Sequence, residues 1–379
     1  MGTTSSLQDL ILRAAFLPGK DGTEAWEQWK SAFDLDGHVD LATFRLLPEV
    51  VRRLREEGVQ DPVFKKLSGI SRKHWLANRL YFRDLEALLR SLREHDIEVL
   101  IAGGSALALA HYPSYPLNLS INSVVTVPPT QATAAFKLML SAGWSPIPPV
   151  TERCLKEYVA ARSWHAFRDP TGRPLRLHWH VLAELARADV DEEFWSVATD
   201  MTIGAETVRA LSPADELLHL CCQGVSLRIA PRFIRAADVM LLLRARRGDV
   251  DWDRLLVMAK RPGATMPVVD TLGYLQDRLA APVPAPVFEQ LLALPVTRSQ
   301  RREYDLRNRP MNWVGDMAGL WFNYRRATGT RLVESVLRFP RFLQHYLRLE
   351  HLWLTPFHAV AKAAEGVRRR DAEVAELWR

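Results

Sequence analysis

The residues best suited to chemistry lie near the middle of the chain. Gly103, Gly104 and Ser105 follow a short apolar run, Glu98 to Ile101, and precede an Ala- and Leu-rich stretch ended by Pro113. A glycine pair between a strand and a helix presents free backbone amides to an anion, and a hydroxyl in the first helical turn adds a donor. Further on, Arg176, His178 and His180 alternate along a second apolar run. Residues two apart on a strand share a face, so a guanidinium and two imidazoles would project together as anion clamp, acid and base. With His165 on a hairpin partner, three imidazoles would also suit zinc, whose bound water ionises near neutral pH. The plainer expectation is a structural His178, with His165 and His180 as ordinary pocket or surface residues.

Missing residues constrain the chemistry as much as those present. Val99 through Thr151 contains no Asp or Glu, where the chain average of 44 acids in 379 residues would put about six. Magnesium takes hard oxygen ligands, usually including one or two carboxylates. Ser120, Asn122 and Ser123 offer only neutral oxygens there. A metal site would have to be rebuilt from acids outside the window, such as Glu152, Glu157, Asp169 or Asp238. The adjacent Cys221 and Cys222, near His219, sit in an apolar helical pattern where small buried thiols are common, and a nucleophilic role is not expected. Asp251 and Asp253 read as a helix start, Asp238 as a partner of Arg235 or a cap, and His111 as a helix-end residue.

The elements that must hold these residues follow from periodicity. Apolar residues recur at three and four positions through Leu7 to Phe16, Leu41 to Leu54 and Ser71 to His95, so the first 95 residues read as helical. The third of these helices would bury a stripe of Trp75, Leu76, Leu80, Leu85, Leu88, Leu89 and Leu92. Strands are expected at Glu98 to Ile101, Ile121 to Val127, Glu157 to Phe167 and Pro174 to Leu182, with a helix at Gln131 to Ala142 and a turn at Asp169 to Gly172. Helices follow at Asp215 to Leu227, Arg232 to Arg246, Asp253 to Lys260 and Met266 to Leu279, and Pro282, Pro284 and Pro286 mark a boundary. The expected class is α+β, a mixed sheet core embedded in helices. The expected divisions are a helical segment at 1–95, a core at 96–208, a helical domain at 209–297 and a basic helical segment at 298–379.

The succession of strand, Gly-Gly-Ser turn, helix and second strand resembles the nucleotidyltransferase fold of the DNA polymerase β superfamily. More of the chain resembles one branch, the poorly characterised bacterial nucleotidyltransferase-like proteins of polysaccharide and peptide natural-product gene clusters. The matching pieces are LILRAAFLPGKDGTEAWEQWK, RLLPEVVRRL, EVLIAGGSALAL, SWHAFRDPTGRPLRLHWHVL, LSPADELLHLCCQG and RFIRAADVMLLLR, in that order. The resemblance implies that the glycine turn holds phosphates and that an Asp-x-Asp on the next strand binds magnesium. It places those aspartates at Ile121 and Ser123, and a third carboxylate at Arg176, before Leu177, His178 and Trp179. All three ligands are replaced. A degenerate enzyme follows, with no magnesium or other cofactor, binding a small anionic ligand or a pathway peptide or protein through Gly103, Gly104, Ser105, Ser120, Asn122, Ser123, Arg176 and His178. The rival is an active transferase or a metal-free enzyme in the same cleft.

Composition sets the outer bounds. At 48% apolar residues the chain has ample material for a core, and disorder is excluded as its general state. Three cysteines without metal-type spacing point to a reducing compartment. No stretch reaches the roughly 18 apolar residues of a membrane span. Met1 to Ser6 is polar and Asp9 follows, unlike a secretory signal, so a cytoplasmic protein is expected. Net charge is +6, but residues 298–379 hold 16 basic and 9 acidic residues, a net of +7. That segment would suit an adaptor for nucleic acid or a membrane surface, though its aromatics are spaced like a helical core stripe.

Overall fold

The computed structural model describes residues 6–33, 41–103, 106, 123–150, 152, 155–227, 232–246, 248–308, 313–329, 331–349 and 351–353. Four helices come first: α1 (Ser6–Phe16), α2 (Gly19–Ala32), α3 (Leu41–Glu56) and the 32-residue α4 (Val63–Glu94). The central region holds β1 (Leu100–Gly103), β2 (Ser123–Thr126), α5 (Ala132–Ser141), β3 (Ser145–Ile147), α6 (Leu155–Ala161), β4 (Trp164–Arg168), β5 (Pro174–His178), α7 (Ala188–Ser196), β6 (Thr199–Ile203) and β7 (Glu206–Ala210). Helices α8 (Pro213–Leu227), α9 (Arg232–Ala245), α10 (Trp252–Ala259), α11 (Thr265–Leu279), α12 (Ala285–Leu292), α13 (Arg298–Asn308), α14 (Trp313–Thr328) and α15 (Leu332–Tyr346) complete the chain. None of the described helices is long and apolar enough to cross a membrane.

The strands form one mixed sheet in the order β3-β4-β5-β2-β1-β7-β6. Its two faces are sorted by strand alternation. Leu100, Ala102 and Val124 face a core built from α1 to α3 and α8 to α11, so the helices before the sheet and those after it share one apolar cluster. Ile101, Val125, Leu175 and Leu177 face a second core of α4, α5 and α6, with Phe136 and Phe167 fully buried in it. Helix α4 contributes Leu85, Leu88, Leu89 and Leu92 to this second core, but Leu80, expected in the same stripe, is 41% exposed.

Two further sequence expectations are corrected. The segment Glu157 to Phe167 is not one strand: Leu155, Tyr158 and Val159 are buried at helical spacing in α6, and the strand begins only at Trp164. The β6–β7 hairpin was not anticipated. Its two-residue turn uses Gly204 at a φ of 62°, a conformation glycine adopts without a side-chain clash. β7 then pairs parallel to β1, which places β1 inside the sheet.

Of the aromatics spaced for a core stripe in the last segment, Tyr324 is buried, Trp321, Phe339, Phe342 and Tyr346 are half-buried, and Trp353 is exposed, while Phe357 lies outside the described residues. Tyr324 of α14 packs on Phe339 and Phe342 of α15 with ring centroids 5.4 and 4.7 Å apart. Buried Glu303 of α13 ties the helices together by accepting from Arg307 and Arg326, each at 2.7 Å.

Candidate functional site

Four neighbouring strands build the site from two cross-strand rows. One row runs Ala102, Val124, Arg176, Ala166; the next runs Leu100, Thr126, His178, Trp164. Both rows lie on the face covered by α8, since Leu100, Ala102 and Val124 pack with Leu217, Leu218 and Cys221. Arg176 and His178 therefore share a face, as their spacing predicts, and both are buried. The Arg176 guanidinium carbon lies 5.6 Å from the centre of the Trp164 ring. The His178 ring stacks on the same indole at 5.8 Å.

Arg176 stands beside Val124, whereas position 123 has the parity of Val125, which faces the other core. Val124, fully buried, carries no ligand atom. Of the expected turn and strand residues, Gly104, Ser105, Ser120 and Asn122 lie outside the described residues, and Ser123 is described only by its backbone, paired with Gly103.

Gly103 closes β1 with a φ of 70°, and its N–H donates to Oε1 of Glu216 at 2.8 Å. Glu216 lies in the first turn of α8, with His219 three residues on along the same side of the helix. Both are buried. Sequence reasoning passed over Glu216 altogether and weighed His219 only as a neighbour of the cysteines. The available signal was an acid and a histidine at helical spacing inside an otherwise apolar helix.

This region concentrates buried polar atoms that have no hydrogen-bond partner: Thr126 Oγ1, both ring nitrogens of His178, His219 Nδ1 and Glu216 Oε2. Each such atom costs about 1–3 kcal/mol when nothing satisfies it. Burial dominates the electrostatics. It lowers the pKa of Arg176 to about 10, which leaves a cation at neutral pH. It lowers His219 to about 4, and His178 well below the ordinary value, each reinforced by the charge of Arg176. It pushes the Glu216 carboxyl up to about 8, against the Gly103 N–H and with help from Asp238 and Asp215. At pH 7 the described face therefore carries one cation, two neutral imidazoles and a predominantly neutral acid.

The three imidazoles do not converge. His165 lies on the opposite face, paired with Leu177 across the hairpin, and its Nδ1 is hydrogen-bonded to the Tyr158 hydroxyl at 2.6 Å. His180 lies past the end of β5, with its Nδ1 2.5 Å from Oδ2 of Asp191, whose other oxygen accepts from the Val181 N–H. Among the described residues no group of three or more His, Cys, Asp or Glu is placed to hold a metal ion. Of the acids outside the acid-free window, Asp169 is engaged by its own turn through Thr171 and Arg173, and Glu157 is exposed on α6. The buried Cys221 thiol is pushed up to about 12 by burial, so it is no nucleophile at neutral pH.

Residues 33–280 match the family described as uncharacterised nucleotidyltransferase. The chain belongs to this family. Nothing matches it among curated proteins or among solved structures. The matched span includes the sheet, α3 and α4 before it, and α8 to α11 after it.

Proposed function

We propose that this protein is a degenerate nucleotidyltransferase that binds an anionic ligand without a divalent metal. The ligand class is a nucleotide or a phosphorylated or carboxylated metabolite of a biosynthetic pathway. One observation carries the reading: a buried arginine occupies the sheet position beside Val124, on the face where Thr126, His178 and His219 leave polar atoms without partners. The donor set does not fit magnesium. Arg176 would repel the ion, Val124 has no oxygen to offer, and Glu216 is raised toward its neutral form. A guanidinium beside neutral imidazole and hydroxyl donors instead suits phosphate or carboxylate.

Calorimetric titration of the full chain with ATP, in magnesium and again in EDTA, tests this. Metal-independent binding that Arg176→Glu abolishes, with folding confirmed by circular dichroism, is the expected result. Binding that strengthens with magnesium overturns it. A peptide partner would show instead as failure of every small anion, with the pathway peptide retained.

A second reading, a metal-free enzyme in the same cleft, is favoured by the His180–Asp191 pair. A carboxylate on Nδ1 orients an imidazole and fixes its tautomer, as a general base requires. Turnover of a pathway substrate in EDTA, lost in Asp191→Asn with binding retained, would favour it over binding alone.

A further inference from the structure

We propose that helix α15 docks this protein onto an anionic membrane surface, lying among the lipid headgroups without crossing the bilayer. The inference goes beyond the binding reading above and does not depend on it. Among the described residues ten large apolar side chains are exposed, and six of them fall close together: Leu332, Val333, Val336, Leu337, Leu352 and Trp353. Single exposed apolar residues are ordinary on a protein surface, whereas a cluster of them marks a docking face.

At 3.6 residues per turn, three sectors follow one another around α15. The inner sector holds Ser335, Phe339, Phe342 and Tyr346 and is fixed to the rest of the fold. Phe339 and Phe342 pack on Tyr324, and Arg162 of α6 donates to the Tyr346 carbonyl at 3.0 Å while its guanidinium carbon lies 3.9 Å from the centre of the Tyr346 ring. The second sector is the exposed aliphatic face of Leu332, Val333, Val336 and Leu337. The third holds the exposed Arg331, Arg338 and Arg341 beside Glu334, which pairs with Arg338 at 2.9 Å. Three arginines against one glutamate leave this edge positive, in the segment that carries the net charge of +7. An aliphatic face edged by arginines suits the boundary between acyl chains and headgroups, where the methyls enter hydrocarbon and the guanidinium groups reach phosphates. Trp353, 65% exposed a few residues past the helix, is the side chain that collects at that boundary. A second copy of the chain is the poorer occupant, because a two-fold contact sets this arginine-edged face against itself.

The test sediments the full chain with vesicles of phosphatidylcholine alone and with about 30% phosphatidylglycerol added, in about 0.1 M salt. Binding is expected on the anionic vesicles only and should weaken as salt is raised. Val333→Gln with Leu337→Gln should bind at least about tenfold more weakly. These two side chains are 72% and 75% exposed, so circular dichroism and the urea midpoint should not change. Arg341→Gln alone should cost about fivefold on anionic vesicles, and it serves if the double variant folds poorly. Failure of the wild type to bind anionic vesicles overturns the proposal and leaves the face to an acidic protein partner. Equal binding to both vesicles, or variants that bind like the wild type, overturns it too. A wild-type dimer in light scattering that the double variant converts to monomer assigns the face to a second copy and overturns the membrane reading.

Discussion

The two faces of the central sheet are made from the same strands and are buried to a similar degree, yet they are chemically unlike. The face toward α5 and α6 is apolar: Val125, Leu175, Leu177, Phe136 and Phe167 fill it, and its histidine, His165, is bonded to Tyr158. The face toward α8 carries Arg176, Thr126 and His178 at the corresponding depth, and neither ring nitrogen of His178 has a partner. Burial alone therefore does not separate a core residue from a site residue. The separation lies in whether the polar atoms are satisfied from within the fold.

The largest expected contrast removes volume from the apolar face. Phe136→Ala should destabilise by about 3–5 kcal/mol in urea unfolding, because the ring is fully buried and its neighbours cannot fill the gap. Next in size is Glu216→Gln. The folded-state pKa of Glu216 is raised to about 8. The stability linked to its proton is complete below the unfolded value near 4.5 and is lost as pH rises to about 8. At pH 7 the glutamine variant should be the more stable, by about 3 kcal/mol, and at pH 4 the difference should vanish. An unchanged difference across that range would mean that the carboxyl is ionised in the fold.

Alternation is what made this much visible in the sequence. The i, i+2 spacing of Arg176 and His178 puts both on one face, and the strand expected at Glu98 to Ile101 is found shifted, as β1 at Leu100–Gly103 with Gly103 paired in it. Glu216 was hidden because it comes from a helix 113 residues away from Gly103, a contact no local pattern encodes. Glu157 to Phe167 misleads because its aromatic residues and Val159 suit a strand, while burial of Leu155, Tyr158 and Val159 on one helical side decides the local structure.

A paired substitution sharpens the comparison at smaller scale. His165→Phe strands the Tyr158 hydroxyl in the core and should cost about 1–2 kcal/mol. His178→Phe removes two unsatisfied nitrogens, keeps a ring against Trp164, and should be neutral or stabilise by up to about 1 kcal/mol without ligand. Anion affinity should move the other way, unchanged in the first variant and reduced in the second. Equal losses of stability would erase the distinction between the faces.

The smallest expected effect concerns magnesium. A ligand that binds only the folded state raises stability with its concentration, so a true divalent site would lift the unfolding midpoint measurably at millimolar magnesium. The α8-facing side of the sheet presents the Arg176 cation and a Glu216 acid raised toward neutrality, both of which disfavour a cation. Thermal unfolding in 5 mM magnesium and in EDTA should therefore coincide within about 0.5 °C at pH 7, below the roughly 1–2 °C that 1 kcal/mol produces in a chain of this length. Arg176→Asp puts one carboxylate beside Val124, and any magnesium-dependent stabilisation should appear only in that variant. A magnesium response in the wild type that Arg176→Asp leaves unchanged would place a cation elsewhere and remove the charge contrast on which the two-face comparison stands.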